Sequence, residues 1–105
     1  MPSGFPTDFP IYAGAQLTAA CAVPASGSTT WTVEWQTTAK LDSIQAFYVS
    51  ALDKNDWVLL AYSGDINTRF SATFQRSSNA NAKGSLNVTN STGPTKIALV
   101  LTTVP

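Results

Sequence analysis

The sequence predicts an α+β domain, a mostly antiparallel sheet of five to six strands with one helix packed on one face. Three observations lead to this fold class. A helical pattern of apolar residues occurs once, at about residues 42–54. The segments 29–37 and 69–76 alternate apolar and polar residues with the period of a half-buried strand. Short turns between the segments indicate the order ββαββββ, with a meander at the end.

The chain has 105 residues, which suits one domain. Residues 1–10 are rich in Pro and Gly, and we interpret them as an extended N-terminal arm or linker. Residues 11–105 then form a single α+β domain. A chain of this size buries roughly 60–68% of the surface that its unfolded form exposes, so a core can form without metals or disulfides.

The predicted strands are 16–23, 29–37, 57–62, 69–76, 85–89 and 95–103. In the alternating strands one set of side chains is apolar, and we expect this set to point into the core. Its members are Trp31, Val33, Trp35, Phe70, Ala72, Phe74, Leu86 and Val88.

The predicted helix presents one apolar face, made of Ile44, Phe47, Tyr48, Ala51 and Leu52. Asp42 is placed to cap its first turn, with Gln45 three residues later as the capping-box partner. Asn55 tolerates the left-handed conformation that ends many helices, and Lys54 complements the negative end of the helix dipole.

Charge excludes two classes of partner. The six Lys and Arg residues balance six Asp and Glu residues, and the basic residues are scattered. A nucleic-acid module or a protein that binds an anionic membrane needs a basic cluster. No apolar run approaches the ~20 residues of a membrane-spanning helix, so we also expect no direct membrane insertion.

Cys21 is the only cysteine, so the chain forms no internal disulfide. The segment 17–21 resembles the cleavage site of a bacterial lipoprotein, but no basic residue precedes it and prolines interrupt the apolar region that such a signal requires. We therefore predict a cysteine buried in a strand.

The residue types needed for catalysis are scarce. The chain has no His, which excludes a Ser-His-Asp or Cys-His site. Glu34 is expected to pair across strands with Arg69 or Arg76 rather than to act in catalysis. The segment 53–56 has carboxylate and amide oxygens but lacks the spacing of a calcium loop. The sequence therefore predicts no catalytic residue, no cofactor and no metal site.

Coverage of the second sheet face is the open question. The segments 57–62 and 97–101 are apolar on both faces, which is typical of central strands covered on both sides. One helix covers one side only. The other side is covered by the arm through Phe5, Phe9 and Ile11, by strand curvature, or by another molecule. If a partner covers it, the expected contact residues are Val58, Leu60, Tyr62, Ala98 and Val100.

Four motifs occur in order: Asp8-Phe9-Pro10-Ile11-Tyr12-Ala13-Gly14-Ala15, Trp35-Gln36-Thr37-Thr38, Ala46-Phe47-Tyr48 with Leu52, and Asp56-Trp57. This series resembles a pattern in small bacterial exported or lipoprotein-like domains of unknown function. The chain departs from that pattern where Ala13 replaces the usual Pro and Asp56 the usual Gly. The resemblance implies an α+β fold and an envelope or extracellular location, and it carries over no catalytic residue.

These observations favour a non-catalytic binding or assembly domain outside the cytoplasm, with a signal or anchor segment that is not part of this chain. Its partner would be another protein or a second copy. The alternative is a small-ligand or glycan-binding domain that uses Thr- and Ser-rich strand faces and an aromatic side chain. Trp31, Trp35 and Trp57 could stack on sugars, although core packing is the expected role of these three residues. An enzyme is the third choice.

Overall fold

The computed structural model describes residues 5–6, 8–54, 56–65, 69–90 and 94–104. These residues form one helix and one six-stranded antiparallel sheet, which confirms the α+β class. The elements are β1 Gln16–Ala25, β2 Ser28–Thr37, α1 Leu41–Ala51, β3 Trp57–Asp65, β4 Arg69–Arg76, β5 Lys83–Thr89 and β6 Thr95–Thr103. Within the described chain, no helix combines the length and the apolar character that a membrane crossing requires.

The strands lie in the order β1-β2-β6-β5-β4-β3. β3 to β6 form the expected meander, and β6 then pairs with β2, so β1 and β3 lie at the two edges. The prediction that both doubly apolar segments are central is therefore right for β6 and wrong for β3. The reason is the connection through α1, which carries the chain from β2 to the far edge before the meander returns.

The helix is shorter than predicted and is not capped as predicted. It begins at Leu41 after the N-cap residue Lys40, which makes no side-chain capping bond. The Asp42 carboxylate accepts a hydrogen bond from the N–H of Ser43 at 2.8 Å, one residue away, so the capping box with Gln45 is wrong. The helix ends at Ala51 with Leu52 as its C-cap residue, so the predicted stop at Lys54 and Asn55 is wrong, and Asn55 itself lies outside the described residues.

One face of the sheet, here called the inner face, carries the core. All the side chains predicted to point inward from the alternating strands are buried there, which confirms that pattern. The helix packs Ile44, Tyr48 and Leu52 into the same core, each of them 0% exposed. Phe47, expected on the same helical face, is only half-buried and packs at the edge of the core.

Two residues of the N-terminal arm, Phe5 and Phe9, also pack on the inner face. Phe9 is buried among aromatic rings, with its ring centroid 5.7 Å from Trp57, 5.7 Å from Phe74 and 6.3 Å from Trp35. Phe5 packs edge-on against Phe9 at 5.9 Å. The expectation that the arm covers the second face is therefore wrong, because its two phenylalanines share the face that the helix covers. Ile11 stays 44% exposed.

Candidate functional site

The second face of the sheet, here called the outer face, is built from the side chains that alternate with the core. Directly opposed residues of an antiparallel pair project on the same face, so the strand registers define rows across all six strands. Two rows lie in the middle and are called the central rows. They are Ala19, Glu34, Ala98, Asn87, Ser71 and Ser63, followed by Cys21, Thr32, Val100, Ser85, Thr73 and Ala61.

A row of mostly polar side chains borders the central rows on each side. Their described members are Gln16, Gln36, Lys96, Thr89 and Arg69 at one end, and Val23, Thr30, Thr102, Lys83, Gln75 and Val58 at the other. The three basic side chains of the outer face all lie in these bordering rows. Glu34 is the one charged residue of the central rows, so the centre of the face is poor in charge and rich in small and hydroxyl side chains.

The outer face is not covered by the described part of the chain. Every outer-face side chain with a described environment is exposed or half-buried, and none is buried. The helix and the two phenylalanines of the arm pack on the inner face. The largest exposed apolar side chain near the middle of the outer face is Val100, at 44% exposure.

The structure separates the five predicted contact residues. Ala98 and Val100 lie in the central rows on β6, and Val58 lies in a bordering row on β3. Two strands, β4 and β5, stand between β6 and β3, which places the two groups about 14 Å apart at ~4.8 Å per strand. They do not form one continuous apolar patch.

A β-bulge explains why Leu60 and Tyr62 differ from expectation. The register of β3 shifts between Leu59 and Ala61, and an extra residue reverses the alternation of side chains beyond it. Tyr62 therefore pairs with Ala72 of the inner face, and its ring lies 6.2 Å from that of Phe70. Both Leu60 and Tyr62 are 52% exposed, but Tyr62 lies at the rim of the inner face rather than on the outer face.

Cys21 is a second residue that the structure places differently. It lies in β1 as predicted, but its side chain is exposed on the outer face rather than buried. Edge strands bury less than central strands, and a continuous run of small residues in β1 hides its alternation from the sequence. Ala19 and Cys21 were accordingly absent from the predicted contact residues, and only the register with β2 reveals them.

Glu34 does not pair with an arginine. It lies on β2, which is bordered by β1 and β6, whereas both candidate arginines are on β4. The Glu34 carboxylate instead accepts a hydrogen bond from the Thr18 hydroxyl at 3.1 Å. The predicted cross-strand ion pair is therefore wrong, because strand order keeps its partners apart.

An ion-pair cluster lies where the arm meets the ends of β3 and β4. Arg76 donates two hydrogen bonds to Asp8, at 2.7 and 2.8 Å, and one to Asp56 at 3.2 Å. The guanidinium also lies 4.3 Å from the ring centroid of Trp57, in a cation–π arrangement. Asp56 further accepts hydrogen bonds from the Ser78 hydroxyl and backbone N–H at 2.7 and 2.8 Å.

The pKa values of this cluster favour its charged form. Hydrogen bonds from Arg76 lower the pKa of Asp8, and hydrogen bonds from Ser78, aided by Arg76, lower the pKa of Asp56. Bonding to Asp8 raises the pKa of Arg76. Both carboxylates are therefore ionised and engaged with donors at neutral pH. This cluster holds the arm to the sheet, and neither carboxylate is poised to move a proton.

Tyr48 carries a buried hydroxyl that has no hydrogen-bond partner in the described chain. Burial raises the pKa of this phenol well above its usual value, and the nearby Tyr12 backbone partly opposes this rise. The ring stacks edge-on with Phe47, at 4.9 Å between centroids. The residue works as core packing, and its hydroxyl does not reach solvent.

Two open depressions lie beside the start of the helix, with volumes of about 190 and 400 Å³. Thr38 and Pro94 line both of them, and Lys40 is the one charged residue among the described side chains that line them. Hydroxyl and amide groups without an aromatic wall offer few contacts to a drug-sized ligand. Among the described residues, no three His, Cys, Asp or Glu side chains cluster closely enough to hold a metal ion.

The three tryptophans are core residues, as expected. Trp31, Trp35 and Trp57 are each less than 5% exposed. None of them offers a free ring face to a sugar, so the tryptophan-stacking form of the glycan alternative is wrong.

Comparison with known proteins does not assign the chain to a family: no family model, no curated protein and no solved structure matches it. The resemblance to small bacterial exported domains therefore stays a prediction. Any function has to be argued from the geometry of the sheet.

Proposed function

We propose that this chain is a non-catalytic binding or assembly domain whose partner, a protein or a second copy, contacts the central rows of the outer face. We further propose that it works outside the bacterial cytoplasm, a location supported only by the resemblance noted from the four sequence motifs. The proposal includes no nucleic-acid partner, because the basic residues of the outer face lie in the two bordering rows rather than in one cluster.

The observation that carries the proposal is the distribution of charge on an uncovered face. An antiparallel sheet commonly exposes one face to water, so exposure alone does not indicate a partner. The centre of a protein interface is depleted of charged residues and its rim is polar. The outer face follows this arrangement, with Lys83, Lys96 and Arg69 towards its ends and small side chains around Ala98 and Val100 at its centre.

The dimensions of the outer face suit an interface. Six strands at ~4.8 Å spacing are about 24 Å wide, and four rows of side chains are about 20 Å long. The flat area is thus roughly 500 Å², before the relief of the side chains is added. A partner in a standard-sized interface buries about 800 Å², so most of this face would be engaged.

The chemistry of the described acids supports a non-catalytic role. Asp8 and Asp56 are engaged with Arg76, and Asp53 accepts a weak hydrogen bond from the N–H of Leu59 at 3.4 Å. The chain also has no His. The rival idea of glycan binding through hydroxyl groups stays a prediction for the Thr- and Ser-rich parts of the outer face, but no exposed tryptophan supports it.

The test is the mass in solution across a concentration series, measured by light scattering on a sizing column. Wild type is compared with Val100→Lys, which places a charge at the centre of the outer face. Thr89→Lys is the matched control, because Thr89 is exposed on the neighbouring strand but lies in a bordering row. We expect the mass of wild type and of Thr89→Lys to rise with concentration, and we expect Val100→Lys to have a lower mass than either at high concentration, because it loses the contact through the outer face.

Two results would count against the proposal, and a third would restrict it to a different protein as the partner. A Val100→Lys protein that loses its circular dichroism would mean that this face belongs to the core. Equal association of wild type and Val100→Lys would mean that the contact is elsewhere. A wild type that stays monomeric at all concentrations would exclude self-assembly, and the partner would then have to be a different protein.

A further inference from the structure

β1 is an edge strand with an open backbone. Among the described residues no strand pairs with its free side. It has ten residues and no charged side chain, and it is exposed along most of its length, with Val23 at 57%. Natural proteins usually protect such edges with charges, prolines or bulges, because the unpaired N–H and C=O groups are a template for another strand.

The opposite edge of the sheet is protected. β3 carries a bulge near its middle, between Leu59 and Ala61. The Asp53 carboxylate accepts a hydrogen bond from the N–H of Leu59, and α1 contacts β3 and β4 from the inner face. In β1 the bulge lies near the start, between Leu17 and Ala19, and Pro24 lies near the end, so the five residues 19–23 between them remain regular and open. The two edges of one sheet therefore differ in their readiness to pair.

The direction of the β1 backbone groups follows from the β1–β2 turn. Ala25 pairs with Ser28 across a two-residue turn at Gly27, whose φ of 80° is left-handed. The first and fourth residues of such a turn, here Ala25 and Ser28, are hydrogen-bonded to each other. In the regular part of β1, the backbone N–H and C=O groups of the odd-numbered residues therefore point towards β2. The position of Pro24 is consistent with this assignment. Proline has no N–H to donate to β2, so it is tolerated at an even-numbered position, whose backbone N points away from β2. Within residues 19–23, the backbone groups that point to the open edge are thus those of Ala20 and Ala22.

We infer that β1 pairs antiparallel with β1 of a second copy, about a two-fold axis that passes through Cys21. In this register Ala20 faces Ala22 of the second copy, and Ala22 faces its Ala20. Each of these two pairs exchanges both backbone hydrogen bonds. Cys21 meets its own counterpart in a non-hydrogen-bonded pair, where the two Cα atoms are about 4.5 Å apart. We call this contact the β1 seam.

The β1 seam is self-complementary in charge and shape. A strand without charged residues brings no like charges together when it pairs with itself. Side chains on the two-fold axis project on one face, so the outer faces of both copies lie on the same side of a continuous twelve-stranded sheet. Val23 of each copy lies opposite Ala19 of the other, which covers one of the largest exposed apolar side chains.

This inference goes beyond the proposed function. It names the second copy as a partner and an edge, not a face, as the contact. A dimer made through the β1 seam would double the outer face that we propose for binding. Cys21 also lies at the margin of the central rows, so Cys21→Lys alone does not separate the two ideas. They fail separately because Val100→Lys, on β6 two strands away from β1, should leave the β1 seam intact, and because only the seam predicts a defined cross-linking register.

The experiment uses two substitutions at one exposed position of the full chain. Cys21→Lys places two ammonium groups opposite each other on the axis, whereas Cys21→Ser keeps a small neutral side chain there. We expect wild type and Cys21→Ser to dimerise equally in the light-scattering series. We expect Cys21→Lys to weaken the dimer at least about tenfold, because like charges directly opposed in an interface are strongly unfavourable.

The register is tested by oxidative cross-linking with copper–phenanthroline and air. The added oxidant takes two electrons from two Cys21 thiols, which release two protons and form one disulfide between copies. The Val23→Cys variant in a Cys21→Ser background is the control. Position 23 is also exposed, but in the β1 seam its two copies are about 14 Å apart, too far for a disulfide. We expect rapid cross-linking of wild type and little of the control.

Each contrary outcome overturns the seam. A monomeric wild type, or a Cys21→Lys protein that dimerises as wild type does, would exclude the β1 contact. Equal cross-linking of wild type and the Val23→Cys control would indicate random collision rather than a defined register. A dimer that Val100→Lys removes and Cys21→Lys preserves would support contact through the outer face and exclude the seam.

Discussion

The inner and outer faces of this sheet are made by the same strands, but the inner face forms the core and the outer face is exposed to solvent. On the inner face, aromatic and aliphatic side chains pack under the helix and around Phe9. On the outer face, hydroxyl and small side chains remain in contact with solvent. Leu99 and Val100 illustrate the difference, since these chain neighbours are 0% and 44% exposed. Adjacent residues of similar chemistry can therefore carry unequal shares of stability.

Exposure, rather than hydrophobicity, separates the residues that hold the fold from those that are free to bind. Burial of a large apolar side chain stabilises the folded state by roughly 1.5–3 kcal/mol relative to leaving the side chain exposed. An exposed Val or Ala on the outer face does not contribute that free energy to the isolated chain. It contributes only when a partner covers it, which makes the outer face available for function without a cost to folding.

The largest effect is expected from the arm. Phe9→Ala should lower the free energy of unfolding by about 3–5 kcal/mol, because it leaves a cavity among the rings of Trp35, Trp57 and Phe74. Urea unfolding followed by tryptophan fluorescence measures the change. Ile11→Ala, two residues after Phe9, is the control, and it should change stability by about 0.5 kcal/mol or less. Equal effects of the two substitutions would mean that the arm is not part of the core.

The neighbours Leu99 and Val100 give the next comparison. Leu99→Ala should cost about 2–5 kcal/mol, since its side chain is fully buried on the inner face. Val100→Ala should cost less than about 1 kcal/mol, because much of that side chain already faces water. Urea midpoints of the two variants, measured at low protein concentration, check this difference. Similar losses would mean that both faces are packed.

A smaller, pH-dependent effect is expected where the arm meets the sheet. The pKa values of Asp8 and Asp56 are lowered in the folded state, so the unfolded chain takes up protons first as the pH falls. The stability that these two groups contribute is present above the ordinary aspartate pKa of 3.8 and is lost as the pH falls below it. Asp8→Asn should cost less than about 1 kcal/mol at neutral pH and should weaken the acid dependence.

Thermal unfolding between about pH 2 and pH 7 measures this effect of Asp8→Asn. Asp42→Asn is the control, because Asp42 is exposed on the helix and has no ion-pair partner among the described residues. The control should keep the acid dependence of wild type. An Asp8→Asn protein with an unchanged pH profile would show that the Arg76 cluster does not hold the arm.

The smallest effect concerns the buried hydroxyl of Tyr48. Tyr48→Phe removes a group without a partner, so stability at neutral pH should be unchanged or should rise by up to about 1 kcal/mol. The raised pKa of Tyr48 means that the unfolded chain ionises first, so wild type loses stability as the pH rises above the ordinary tyrosine pKa of 10.0. Urea unfolding at neutral and alkaline pH measures this loss. The variant should lose less, whereas Tyr62→Phe, at an exposed position, should behave as wild type.

Much of the fold could be predicted because it depends on the spacing of apolar residues within short segments of the sequence. The alternation in β2 and β4 indicates which side chains are buried, and the structure agrees at every apolar position of these strands. The spacing in α1 likewise indicates its buried face. The helix start was less predictable, since Asp42 is a good capping residue by type but lies inside the first turn.

The candidate site was harder to predict because it depends on pairing between distant segments. Val58, Ala98 and Val100 are on the outer face, but the strand order puts β4 and β5 between them. The bulge in β3 turns Tyr62 towards the inner face. A bulge depends on how one strand fits its neighbour, and an apolar run such as 57–62 does not show it.

The amino-acid pattern alone determined the helix, the alternating strands and the composition of the two faces, since these depend on residues close in the chain. The tertiary structure decided which strands form the edges, where the arm packs and which side chains share the outer face. These features depend on the pairing of β2 with β6, residues more than fifty positions apart. The free energy of such pairing is a sum over the whole sheet, so it cannot be predicted from the residues of any single segment.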